Sequence, residues 1–229
     1  MIDSEKGSSI VLLGSFNPAI FQPAWIAQNS LLPEEEMDGF YNEQIIKKFP
    51  EYGFEIGTGQ PFQVNNDQAV AVFRSFGLQV VRDRFITTVT TDHHATIRFI
   101  RKVFKILAET PIKAYGINFQ THLNFTNSYN EIINNLFDRK KQFIDTFKEE
   151  MTLGFSVKSK FNDFILTTTI EQSTSIKDGL FIGANFHCEI DGGARKFNEI
   201  DLKSQYSETE KYFSNSLINN LGTLKNRIK

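Results

Sequence analysis

The densest group of potential metal ligands in this chain is Asp92-His93-His94. A zinc site needs imidazole nitrogens and carboxylate oxygens that converge on one point. These three residues stand where a helix begins, so Asp92 suits an N-cap that accepts from the first N–H groups of the helix. Consecutive histidines on a helix point about 100° apart, which keeps them from sharing an ion. No metal site is expected.

Other chemistries fail on residue type. There is no G-x-x-x-x-G-K-[ST] loop to cradle phosphates and no G-x-G-x-x-G after a strand, and Gly57-Thr58-Gly59 is too short to replace either. Neither H-E-x-x-H nor G-x-S-x-G occurs. The single cysteine, Cys188, excludes an internal disulfide and any multi-cysteine zinc site. Its strand position predicts burial, the opposite of a reactive thiolate. No cofactor is expected.

Two constellations remain. Arg98, Arg101, Lys102 and Lys105 follow i, i+3, i+4, i+7 spacing, which puts four cations on one helical stripe beside an apolar stripe of Ile97, Ile100, Phe104 and Leu107. The plain reading is a solvated outer face. The functional one is a contact for phosphate or an acidic partner. The second constellation rests on period-two alternation in strands. Asn118, Gln120, His122 and Asn124 alternate with Tyr115, Ile117, Phe119, Leu123 and Phe125. Asn185, His187 and Glu189 alternate with Leu180, Ile182, Ala184, Phe186, Cys188 and Ile190. With Thr167 and Thr169 between them, these residues predict a sheet face rich in amides and imidazoles. It is either a solvated surface or one that recognises a partner by directional hydrogen bonds. His187 and Cys188 look like a ligand pair, yet strand neighbours face opposite sides.

The elements that position these residues are read from pattern and punctuation. Ser9 to Phe16 is an apolar strand, and Asn17-Pro18 starts a helix that Pro23 restarts and that fades by Ser30. A helix is expected over 33–49, with Glu34, Glu35 and Glu36 opposite Lys47 and Lys48 along its dipole. Residues 50–67 read as loop. Strands follow over 68–74 and 78–90, with a turn near Ser75-Phe76-Gly77. A helix from His93 to Glu109 is stopped by Pro111. A strand over 112–125 and a helix over 127–150 precede a three-stranded meander from Leu153 to Ile190, with turns at 161–163 and 177–179. A final helix over 207–221 carries Phe213, Leu217, Leu221 and Leu224 on one side. Short turns between consecutive strands imply an α+β fold: a mainly antiparallel sheet with helices packed on one face, in a single domain over 1–229. The first strand–helix unit is expected to add a parallel edge.

Composition bounds the partners. A net charge of −2 gives no global field toward nucleic acid or anionic lipid. Residues 1–6 lack a basic segment leading into an apolar one, and no apolar run approaches the roughly 18 residues that span a bilayer. A cytoplasmic protein with no membrane partner is expected. The 23 Phe, against 1 Trp, reflect an AT-rich coding sequence before any aromatic chemistry.

Three segments carry a resemblance. Gly14-Ser15-Phe16-Asn17-Pro18-Ala19-Ile20-Phe21-Gln22-Pro23-Ala24-Trp25 resembles the opening of a group of uncharacterised bacterial proteins. Gln79-Val80-Val81-Arg82-Asp83-Arg84-Phe85 and Thr110-Pro111-Ile112-Lys113-Ala114-Tyr115-Gly116-Ile117-Asn118 are similar to later segments of the same group. The resemblance implies a bacterial origin and carries over no activity and no catalytic residue.

By elimination, the sequence favours a non-enzymatic binding or adaptor protein, a subunit of a larger complex, with a protein partner on the sheet face or the terminal helix. The rival is a hydrolase of a phosphorylated or nucleic-acid substrate, its site assembled from His122, His187 and Glu189 with the basic helix. A nucleic-acid accessory factor acting through Arg98, Arg101, Lys102 and Lys105 is the third possibility.

Overall fold

A computed structural model of the protein describes residues 5–33, 36, 62–124, 154–177 and 179–219. The expected helices over 33–49 and 127–150 lie outside these residues, Glu36 excepted. Nine strands belong to one antiparallel sheet. They are β1 (Glu5–Gly14), β2 (Phe62–Val64), β3 (Gln68–Val72), β4 (Phe76–Val81), β5 (Arg84–Val89), β6 (Ile112–Leu123), β7 (Phe155–Phe161), β8 (Phe164–Gln172) and β9 (Leu180–Glu189). The α-helices among the described residues are α1 (Pro23–Gln28), α2 (His93–Ile106), α3 (Gly193–Glu199) and α4 (Leu202–Lys211), the last running into a π-helical turn over Tyr212–Ile218. None of them is long and apolar enough to cross a membrane.

The chain divides into two compact units. The first holds Gly7–Asn118 and His187–Glu208. The second holds Phe119–Phe186, with Met1–Lys6 and Thr209–Lys229.

In the first unit the strand order is β2-β3-β4-β5-β1-β6-β9, the last two contributing residues 112–118 and 187–189. The expected strand over 78–90 is two strands. They are joined by a reversal at Arg82-Asp83, which pairs Val80 with Phe85 and Phe76 with Val89. The expected turn at 75–77 is tighter than predicted, since strand pairing resumes at Phe76. The expectation of a parallel edge is overturned: β1 lies inside the sheet beside β5 and antiparallel to it, with Ile10 opposite Thr87 and Leu12 opposite Phe85. Burial explains the placement. Ile10 and Leu12 are fully buried, an environment that an edge strand does not supply.

Helix α2 begins as predicted, with Asp92 accepting from the His94 N–H at 2.7 Å. Its buried side docks by aromatic packing. The Phe99 ring lies 5.8 Å from Phe73, 5.0 Å from Phe76 and 6.4 Å from Phe85, and Phe104 packs against Phe16, Phe85 and Phe197. Interlocked rings bury large area and add edge-to-face attraction. The helix ends at Ile106, short of Glu109, and Pro111 leads into β6. Helix α3 was not anticipated. It is capped by Gly192 and begins at Gly193, whose φ values of 114° and 65° turn the chain sharply out of β9.

In the second unit the order is β6-β9-β8-β7, with residues 119–123 and 180–186 from the first two strands. The first turn of the meander lies where expected, between Phe161 and Phe164, whereas the second connection is longer than the expected 177–179, since β8 ends at Gln172 and β9 begins at Leu180. Along β8, Phe164, Leu166, Thr168 and Ile170 are buried, while Ile165 and Glu171 are exposed. Phe186 gathers Phe119, Phe161, Phe164 and Tyr212 around it, and Phe213 stacks on Phe119 at 5.5 Å. Phe213 thus packs the terminal helix on its own sheet. Leu217 is half-buried, and Leu221 and Leu224 lie outside the described residues.

Candidate functional site

The predicted polar face separates into environments set by each strand's neighbours. In the second unit, the register of β7 against β8 places Ser156, Lys158 and Lys160 beside Thr169, Thr167 and Ile165. Ser156 Oγ and Thr169 Oγ1 are hydrogen-bonded at 2.8 Å. The same face continues inward. A Cβ on Gly183 would meet the Phe181 ring and the Thr169 Cβ, and the Phe181 ring lies 5.1 Å from His122. Exposure varies along this face. His122 is buried, Gln120, Phe181, Thr167 and Thr169 are half-buried, and Asn185, Lys158, Lys160 and Ile165 are exposed. Ile165 is 52% exposed, and Val157 on β7 is 51% exposed.

His122 is the one predicted site residue whose chemistry the structure fixes closely. Its Nδ1 lies 2.8 Å from Ser173 Oγ, and that oxygen also accepts from the N–H groups of Ser175 and Ile176 at 3.1 and 2.8 Å. A hydroxyl oxygen has two acceptor positions. Both are filled, which directs the hydroxyl proton toward Nδ1. A histidine–serine pair in a protein suggests a nucleophile and its base. Here the oxygen is held as the acceptor of a turn between β8 and β9, which blunts it as a nucleophile.

Asn118, His187 and Glu189 fall in the first unit. Asn118 donates through Nδ2 to Ser9 Oγ at 3.1 Å, His187 is half-exposed on the same strand row as the exposed Glu189, and Cys188 is half-exposed. The expectation that Cys188 is buried is therefore corrected. The apolar row of β9 is covered through Phe186, and the strand then runs out from under that cover. Cys188 Sγ contacts the Glu189 carbonyl at 3.5 Å.

The basic stripe of α2 is placed as the spacing predicts, and most of it is engaged. Arg101 donates to the carbonyls of Phe197 and Asn198 at 3.1 and 2.8 Å and lies over the Phe197 ring. Burial lowers the Arg101 guanidinium from its ordinary pKa, with Asp201 pulling in the opposite direction. Lys102 Nζ donates to the Ser30 carbonyl at 2.6 Å, and Arg98 lies 3.9 Å from Asp92. Lys105 is exposed. Arg101 and Lys102 tie α2 to α3 and to the end of α1, work that a free phosphate-binding stripe would not do.

Among the described residues no three His, Cys, Asp or Glu side chains gather as for a metal ion. His93 instead stacks on Tyr206, with ring centres 4.6 Å apart, and Tyr206 is hydrogen-bonded through its hydroxyl to Ser8 Oγ at 2.7 Å.

One feature lay beyond sequence reasoning. The segments around Gly14, Asp83 and Pro111 meet through backbone hydrogen bonds. The Gly14 and Phe16 N–H groups donate to the Asp83 and Arg82 carbonyls at 3.1 and 2.8 Å, and the Ser15 N–H donates to the Pro111 carbonyl at 3.0 Å. Gly14 is required there, since a Cβ would stand 2.2 Å from the Pro111 oxygen. The junction leaves a groove of about 330 Å3 between residues 15–21 and the end of α2. Periodicity alone could not bring these residues together. In comparisons with protein-family models and with curated proteins, nothing matches the chain.

Proposed function

We propose that this is a non-enzymatic binding protein that recognises a protein partner through the outward face of β8 and β7, with its helices gathered on the opposite side of the sheet. The observation that carries this reading is Ile165, exposed, paired with Lys160 and followed on the same face by the Thr167–Lys158 pair. A large apolar side chain ringed by polar groups is the pattern of a small interface centre with a hydrated rim. Gln120 and Asn185 extend the same face with amides suited to directional hydrogen bonds. The two lysines favour a partner whose contacting surface is acidic.

The hydrolase reading draws less support. Ser173 Oγ is committed to two backbone N–H groups. The nucleic-acid reading is weakened by the structural engagement of Arg101 and Lys102.

The test is affinity capture from the native host with the wild-type chain, a Lys158→Glu/Ile165→Asp variant and an Arg82→Glu control in the first unit. We expect a partner retained by wild type and control and lost by the double variant. Equal capture by all three overturns the proposal. Labelling of Ser173 by a fluorophosphonate would move the reading to a hydrolase.

A further inference from the structure

We propose that the partner adds an antiparallel strand to the free edge of β7, and that the segment it offers is extended and acidic. The inference rests on the sheet-face reading and names the partner's chemistry. β7 ends the strand order, with β8 as its one strand neighbour among the described residues. It runs for seven residues, and Ser156 to Lys160 are all exposed. A strand of that length with an uncovered edge is a template for another chain.

The register fixes which backbone groups are free. Phe161 pairs with Phe164 across the two-residue loop Asn162-Asp163, where Asn162 has a φ of 50°. Such a loop closes on a hydrogen-bonded pair. Alternation then turns Val157 and Ser159 toward β8 and sends the N–H and C=O groups of Ser156, Lys158 and Lys160 outward. These outward groups have no hydrogen-bond partner among the described residues. Recurring at every second residue, they form the row that an added strand pairs with.

The side chains define the incoming strand. Lys158 and Lys160 share the outward face, and residues of an antiparallel strand bonded to that row stand opposite them on the same face. Acidic residues there are matched to both lysines. Glu171 shares the face but stands beside Gly154, beyond the end of β7. On the other face Val157 is 51% exposed, while Phe161 in the same row packs on Tyr212 at 4.5 Å. That side is left uncovered at the edge, and an apolar residue opposite Val157 would close it. The lysines also guard the edge against copies of this chain. Pairing β7 with itself over its full length sets Lys158 against Lys158, a like-charge contact.

The test is calorimetry of the full chain with acetyl-Glu-Val-Glu-Val-Glu-Val-amide, two N-methylated forms of it and the same peptide with Lys for Glu. In the proposed arrangement the Glu N–H groups face β7 and the Val N–H groups face away. Methylating the Glu nitrogens removes three strand hydrogen bonds and should weaken binding at least about tenfold. Methylating the Val nitrogens should change it by less than about threefold, and the lysine peptide should not bind. Proline suits an edge position whose N–H faces solvent, so Lys158→Pro should keep the melting temperature and lose the peptide. Lys158→Gln removes the charge alone and should cost about threefold.

No binding of the parent peptide, equal binding of the two methylated forms, or equal loss in Lys158→Pro and Lys158→Gln would each overturn strand addition. So would self-association of the wild-type chain that Lys158→Pro abolishes, since the occupant would then be a second copy. If Lys158→Pro lowers the melting temperature, the methylated peptides decide alone. Ile165→Asp separates the two readings, because it should keep the peptide within about threefold and lose the partner. A native partner still captured by Lys158→Pro leaves the sheet face standing and removes the added strand.

Discussion

The two units use phenylalanine in different ways. In the first, Phe73, Phe76, Phe85, Phe99 and Phe104 are fully buried and linked by ring contacts, so an aromatic cluster runs through the helix–sheet junction. In the second, Phe186 and Phe213 are buried, but Phe161 is half-exposed on a strand along which Ser156 to Lys160 are all exposed. The first unit is organised around a closed core, and the second thins toward an open strand. A coding bias can raise the number of phenylalanines, but only packing decides where they become structural. The contrast also sorts the surface: a recessed groove in the first unit, a flat polar face in the second.

The sharpest way to break the contrast is to truncate a ring in each unit. Phe99→Ala removes a side chain with three aromatic neighbours and should cost about 3–5 kcal/mol in chemical denaturation. Phe161→Ala, half-exposed, should cost about 1–2 kcal/mol. Equal losses would remove the distinction between a closed and an open unit.

Next comes the buried polar pair of the second unit. Ser173→Ala strands the Ser175 and Ile176 N–H groups and the His122 ring nitrogen, and should cost about 1–3 kcal/mol. A neutral result would mean that the turn is held by something other than this oxygen.

Glycines sharpen the comparison further. Gly14→Ala drives a methyl into the Pro111 backbone and should destabilise by about 1–3 kcal/mol. At Gly183 the added methyl meets the half-buried Phe181 ring, which can move, so Gly183→Ala should stay within about 0.5 kcal/mol of wild type. The smallest effect is expected on the open face. Ile165→Asp should leave stability within about 0.5 kcal/mol while removing partner capture.

Much of the fold was legible in the sequence because strands and helices obey short periods. The alternation of Leu180, Ile182, Ala184 and Phe186 against Asn185 predicted which side of β9 is covered. The Asp92 cap predicted where α2 begins. What sequence could not show depended on contacts distant along the chain. Nothing local in Ser9 to Phe16 says that β1 lies between β5 and β6. The burial of His122 depends on Ser173, 51 positions away, folding over it. Cys188 was misplaced because alternation continues past the point where cover ends. The groove arises where residues near 15, 83 and 111 meet, and no motif encodes that meeting. Arg101 and Lys102 formed a convincing stripe, yet their partners are backbone carbonyls, which a sequence pattern does not reveal.

The account turns on the outward face of β8 and β7 being the partner surface. Its most direct measurement is site-specific photo-crosslinking in the native host, with the photoreactive residue at position 165 or, as a control, at position 82. The account predicts one discrete protein adduct from position 165 and none from position 82. The same adduct from both positions, or no protein adduct from position 165, would contradict it.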